Sequence, residues 1–109
     1  MEDKLLKKYC PMTETIFYTL LALLEPNHGY GIMKFVRELT EERIKMGTGT
    51  LYTMLGRLVE DRMITVVSEV DGKKTYQITD DGKQLLVMEQ ERLRKQCANG
   101  EKILGGMKG

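Results

Sequence analysis

Residues 47–63, GTGTLYTMLGRLVEDRM, decide how the rest of this chain is read. At 100° per residue, Leu51, Met54, Leu55, Leu58 and Val59 share one stripe, wide enough to bury against a core. Thr48 is placed to cap the helix, its hydroxyl accepting from an amide of the first turn. The opposite side carries Gly49, Thr53, Gly56, Arg57 and Glu60, with Thr50 and Tyr52 at its edges. A glycine such as Gly56 inside a helix costs about 1 kcal/mol relative to alanine. Close approach of another surface is one reason to keep it. A small, hydroxylated face with one Arg suits a DNA major groove. An amphipathic helix whose outer face only meets water shows the same pattern, and the helix alone does not separate the two.

Its neighbours do. After Met63 the apolar period shortens to two, and Ile64–Val70 is rich in β-branched residues, so it reads as a strand. Asp71-Gly72 is a two-residue turn signal, since a type I′ turn needs positive φ at both positions. Lys73–Ile78 returns as the partner strand. The simplest register sets Val67 against Tyr76 and Thr65 against Ile78, with Lys73 and Lys74 at the tip. Upstream, Thr13 offers a cap for a helix to about Leu24, apolar around most of its circumference. Glu25–Gly29 has turn chemistry. A second helix from Tyr30 to Leu39 places Ile32, Val36 and Leu39 on one side. Arg43-Ile44-Lys45-Met46 alternates like a very short strand. Residues 2–10 form a candidate helical arm that Pro11 interrupts.

Thr79 caps a last helix from about Asp80, with acids in its first turn where the helix dipole favours them. Leu86, Gln90, Leu93, Cys97, Gly100 and Leu104 recur at spacings of four and three, a helix-pairing seam. Asn99-Gly100 offers an alternative stop. Gly105-Gly106 reads as the start of a frayed tail.

Size and composition set limits. The chain has 109 residues, 41% hydrophobic and 30% charged, which suits one globular domain. No apolar run approaches the roughly 20 residues that span a bilayer, and the start MEDKLLKKYC lacks a signal-peptide pattern. Cys10 and Cys97 have no CxxC or CxxH spacing, which points to a reduced, cytoplasmic setting without structural zinc. The net charge of +1 is low for a nucleic-acid binder, so local clustering of cations has to supply the attraction. No nucleophile–base pair, carboxylate dyad or phosphate loop is present, so the reading is not an enzyme and needs no cofactor.

Two helices, a third with a small-residue outer face, a basic-tipped hairpin and a long helix make a mainly α fold with a β-hairpin wing. That is a winged helix-turn-helix. The expected divisions are an arm at 1–11, the winged domain at 12–79, a C-terminal dimerisation helix at 80–104 and a tail at 105–109. The expected contacts to double-stranded DNA are Lys45, Thr48, Thr50, Tyr52, Thr53, Arg57, Lys73 and Lys74. Arg57 would fork onto a guanine, while the lysines would meet phosphates. Tyr52 either donates to a phosphate or packs its ring on the domain edge. The expected dimer contacts are Leu86, Gln90, Leu93, Cys97 and Leu104. Cys97 is either a packed small hydrophobe or a thiol facing its symmetry mate. His28, in a turn beside glycine, suits a structural hydrogen bond better than a metal. Met33, Met54 and Met88 are candidates to line an adaptable pocket.

The motifs also carry a resemblance. His28-Gly29-Tyr30-Gly31, Gly47-Thr48-Gly49-Thr50-Leu51-Tyr52 and Tyr76-Gln77-Ile78-Thr79-Asp80-Asp81-Gly82 stand in an order similar to the PadR family of bacterial transcriptional regulators. The likeness covers about residues 12–98. It implies the short form of the family, with a single C-terminal helix pairing a homodimer, a pseudo-palindromic operator and repression of nearby genes. Thr48 replaces a proline common in the family, and Thr75 an aromatic that precedes the wing tyrosine. Some short members hold flat molecules between paired tryptophans. With no Trp here, that ligand class is not carried over, although a small hydrophobic effector at the dimer seam remains an expectation. The reading from another class is a winged-helix protein–protein module, which the acids Glu41, Glu42, Glu60 and Asp61 near the third helix would suit.

Overall fold

The computed structural model describes residues 3–108; the expected arm and tail residues at 1–2 and 109 lie outside the described residues. The elements run α1 (Asp3–Tyr9), α2 (Glu14–Ala22), β1 (Asn27–His28), α3 (Gly29–Leu39), α4 (Thr48–Glu60), β2 (Ile64–Val70), β3 (Lys73–Ile78) and α5 (Asp80–Lys108). The three strands form one antiparallel sheet in the order β1-β3-β2.

The core is where the helical periodicity points. Leu20 and Leu23 from α2 and its end, Ile32 and Val36 from α3, and Leu51, Leu55 and Leu58 from α4 are all fully buried. Leu39, expected on the same face as Val36, is instead exposed, because the chain leaves the helix there. The amide of Glu42 reaches back to the Arg37 carbonyl at 2.8 Å, with Glu41 at φ 52° in the left-handed region. This is a Schellman-type stop.

Three local readings are corrected. Arg43–Met46 is not a strand; Arg43 is drawn onto α2, 2.8 Å from Glu14 and 3.1 Å from the Tyr18 hydroxyl. The short third strand is Asn27–His28, inside the segment read as a turn, pairing with Tyr76 and Thr75. Thr48 does not cap α4: Gly47 is the cap residue, without a side-chain bond, and Thr48 is the first helical residue.

The hairpin keeps its expected register only near the tip. Val70 faces Lys73, Glu69 faces Lys74 and Ser68 faces Thr75, but then Val66 faces Tyr76 and Ile64 faces Ile78. Val67 is the extra residue of a β-bulge. A bulge shifts every later side chain by one place. Here it sets Ile64 against Ile78 on the buried face and leaves Val67 exposed. The Asp71-Gly72 turn has both φ values positive, 51° and 78°, as expected.

The last helix runs without a break through Gly100 and Gly105-Gly106 to Lys108. Asn99-Gly100 is therefore no stop, and residues 105–108 are helical rather than frayed. Its root is built by Thr79, whose hydroxyl donates to the Arg62 carbonyl (2.7 Å) and accepts from the Gly82 amide (3.1 Å). Gly82 allows this join: a Cβ there would collide with the Met63 carbonyl oxygen. One turn further, Leu85 and Leu86 are buried in the core of their own chain.

The arm is part of the body. Tyr9 is only 5% exposed; its hydroxyl donates to Asp61, which Lys8 also meets at 2.6 Å. Burial first, and this hydrogen bond second, push the Tyr9 phenol well above its ordinary range. Lys8 and Tyr9 hold the Asp61 carboxyl below its own. Beyond Pro11, the Met12 amide donates to the buried Glu89 (2.8 Å), which also takes the Arg92 fork at 2.7 and 2.8 Å. The N-terminal segment is thereby fastened to both α4 and α5.

Candidate nucleic-acid interface

α3 and α4 form the helix-turn-helix, and the sequence explains how they are set against each other. The turn before α3 is closed by His28, whose Nδ1 accepts from the Gly31 amide at 3.0 Å. This is the structural bond expected of that histidine. Gly29 faces the next helix: a Cβ there would strike the Tyr52 hydroxyl and ring carbon. The ring of Tyr52 therefore lies across the start of α3, and this bears out packing on the domain edge. It stays about half exposed (49%), with one side open to solvent.

The other side of α4 is bare. Thr48, Thr50, Thr53 and Arg57 are exposed, and an added Cβ at Gly49 or Gly56 would meet nothing within 4 Å. Arg57 forms no ion pair among the described residues. Its guanidinium is free to take an acceptor from outside. Thr50, Thr53 and Arg57 also line a groove between α4 and the α1–α2 junction. Of the acids near this helix, Asp61 is neutralised within the fold by Lys8 and Tyr9, whereas Glu41, Glu42 and Glu60 are exposed.

Lys73 and Lys74 stand exposed at the wing, Lys74 opposite Glu69 across the ladder. Lys45 is exposed just ahead of α4. It shares a shallow groove of about 140 Å³ with Tyr30, Lys34 and Arg37 of α3. These two α3 cations were missed by sequence reasoning. The signal was there, since residues three apart on a helix share a face. An open cationic strip beside α4 is suited to phosphates.

The expected seam residues divide. Leu86 is buried within its own chain, so it is unavailable to a partner. Gln90 and Cys97 are exposed, Leu93 is half-buried and Leu104 is 58% exposed. The Cys97 thiol lies 3.8 Å from a Glu101 carboxylate oxygen. Met33, Met54 and Met88 do not gather into one pocket: Met33 lies by the α3 groove, Met54 by the α4 groove, and Met88 on the outside of α5. Among the described residues no helix is long and apolar enough to cross a membrane, and no cluster of His, Cys, Asp or Glu is set to hold a metal.

A three-helix body with an exposed second helix-turn-helix element and a two-stranded wing is a winged helix-turn-helix of the kind that reads duplex DNA. Comparison with known proteins narrows the class. Residues 18–88 match the transcriptional regulator PadR-like family, and the chain belongs to that family. Transcriptional regulator YqjI of Escherichia coli is 31% identical over 80 residues, 67% of this chain and 39% of the relative. The chain thus spans well under half the length of that curated relative. A PadR family transcriptional regulator from Eggerthella lenta superposes with a TM-score of 0.69 at 26% identity, over 82% of this chain and 80% of that one. Bacillus subtilis PadR, solved in complex with operator DNA, gives a TM-score of 0.55 at 29% identity, over 67% of this chain and 45% of that one. The family consists of DNA-binding transcriptional regulators, not enzymes.

Proposed function

We propose that this protein is a cytoplasmic repressor that binds a two-fold related operator as a homodimer, one α4 entering the major groove of each half-site. The observation that carries the reading is the exposed face of α4, where Thr50, Thr53 and Arg57, which has no ion-pair partner among the described residues, stand beside Gly49 and Gly56, whose added Cβ would meet nothing within 4 Å. Thr48 at the helix start and Tyr52, by its open side, contribute donors at the margins. Lys45, Lys73 and Lys74 sit where backbone phosphates pass on either side of such a helix. Gln90, Leu93, Cys97 and Leu104 supply the pairing surface, and a small hydrophobic effector relieves repression.

The test is fluorescence anisotropy with the duplex from directly upstream of the protein's own gene, against a scrambled duplex, at two salt concentrations. Tight, salt-sensitive preference for the upstream duplex is expected. Arg57→Ala should lose about 1–3 kcal/mol of base discrimination. Lys73→Ala should weaken all duplexes alike and reduce the salt slope by about one. Weak, equal binding to both duplexes, unchanged by either substitution, would replace this reading with the protein–protein module that the exposed Glu41, Glu42 and Glu60 favour.

A further inference from the structure

The short N-terminal helix has two unlike faces. Leu5, Leu6 and Tyr9 turn one side of α1 into the body. Lys4, Lys7 and Lys8 are spaced by three and four residues, so they share the other side, and all three are exposed. Lysines on an outward helix face are ordinarily no more than a solvated surface. This row differs from such a surface in its anchorage. The Tyr9 hydroxyl donates to Asp61, the residue that ends α4, and Lys8 meets the same carboxylate at 2.6 Å. The row is thereby fastened beside the exposed face of α4, and a contact made through it incurs little cost of ordering. Lys4 and Lys7 form no ion pair among the described residues.

Its position differs too. α3 meets α4 on the side of Tyr52, whose ring lies across Gly29. The groove that α4 shares with the arm opens on the side of Thr50 and Arg57, with Lys8 and Tyr9 at its far edge. Tyr52 and Arg57 stand about 140° apart around the helix at 100° per residue. The two flanks of α4 are therefore distinct, and both are cationic. Lys34, Arg37 and Lys45 line the α3 flank, and the α1 lysines border the other. A duplex has the matching pattern, since a phosphate strand runs along each lip of a major groove roughly 12 Å wide.

We infer that α1 is a second phosphate-binding element of the DNA interface, in which Lys4 and Lys7 meet the strand on the lip opposite the one facing Lys34, Arg37 and Lys45. Lys8, engaged with Asp61, orients the row. The inference rests on the proposed DNA reading of α4 and extends the interface beyond the winged domain. Phosphates are the same at every step, so α1 adds affinity and alignment but no base discrimination. A net charge of only +1 is compatible with this, because the cations that matter are gathered on the two flanks of one helix.

The experiment measures anisotropy of upstream and scrambled duplexes with the full chain over a series of salt concentrations. Wild type is compared with Lys4→Gln/Lys7→Gln and with Lys95→Gln/Lys102→Gln, which removes the same charge from exposed positions on α5. Circular dichroism and sedimentation check that each variant is folded and in the same oligomeric state. The arm variant should lower the salt slope by about two per protomer and weaken both duplexes by one common factor, at least roughly tenfold at 0.1 M salt. Its preference for the upstream duplex should be unchanged, and Lys4→Arg/Lys7→Arg should keep the wild-type slope. An arm variant with the wild-type slope, or a loss matched by the α5 variant, overturns the inference. So does loss of self-association in the arm variant, which would place the row on a protein interface. Wild type that prefers the upstream duplex while the arm variant behaves identically sinks the role of α1 and leaves the proposed function standing. Wild type that binds both duplexes weakly and equally removes the DNA reading, and this inference with it.

Discussion

The winged body and the distal half of α5 treat their apolar residues in opposite ways. In the body, Leu51, Leu55 and Leu58 are fully buried, and even the arm contributes a buried Tyr9. Past Glu89 the helix has no such cover: Ile103, Leu104 and Met107 are 68, 58 and 78% exposed. Hydration of apolar surface opposes leaving it open. The body satisfies its sequence pattern within one chain, while distal α5 leaves its apolar residues open, where the proposed homodimer would cover them. The two regions should therefore fail in different ways when damaged.

The largest effect is expected in the body. Leu55→Ala leaves a cavity in the core and should cost about 3 kcal/mol in denaturant unfolding. A loss below about 1 kcal/mol would mean the core is far looser than its burial indicates. Next comes Leu104→Glu, which should leave body stability unchanged but raise the dissociation constant of self-association at least roughly tenfold by sedimentation. Unaltered association would break the contrast, leaving the distal stripe without its proposed partner.

The same substitution should carry opposite signs in the two regions. Gly82→Ala drives a Cβ onto the Met63 carbonyl and should destabilise by about 1–2 kcal/mol. At Gly100 nothing lies within 4 Å, so Gly100→Ala should stabilise by up to about 1 kcal/mol through helix propensity. A loss at Gly100 would sharpen the picture differently, since it would reveal a partner backbone packed against that residue. The smallest effect joins the two regions at Glu89. The Arg92 fork, and then the Met12 amide, hold its carboxyl below the ordinary 4.5 despite burial. Such a group adds stability that is present above the unfolded value and drains away as pH falls through the folded one. Melting temperature should therefore fall as pH drops below the ordinary 4.5, and Glu89→Gln should flatten that slope. Equal slopes would remove Glu89 from the acid response.

Much of the body was legible because burial imposes a period. The α4 stripe, the β-branched run of β2 and the Asp71-Gly72 turn each carry a local signature that tertiary packing reinforces. The missed features lack one. A two-residue strand such as Asn27–His28 is too short to show alternation, and its pairing is decided by Tyr76 and Thr75, some fifty positions away. The bulge at Val67 is chosen by the need to bury Ile64 with Ile78, which the simple register ignores. Leu86 fits the α5 seam by spacing, yet spacing cannot tell a helix's own core from a partner. Glu89 and Tyr9 were hidden because their burial depends on Arg92 and Asp61. On α4, the outward residues could be named from the sequence, but the groove beside them could not, since its other wall is the α1–α2 junction.

The uninterrupted α5 has a mechanical meaning. Its 29 residues make a rod of about 43 Å at 1.5 Å per residue, clamped near one end by Leu85, Leu86 and Glu89 and free beyond. A tilt of about 5° at the clamp swings the far end by about 2–3 Å, close to the roughly 3.4 Å rise of one base pair. Small repacking at the root is thereby geared up toward the rise of one base pair. The spacing between two heads carried on such rods would be tuned at Met12, Glu89 and Arg92, far from any base.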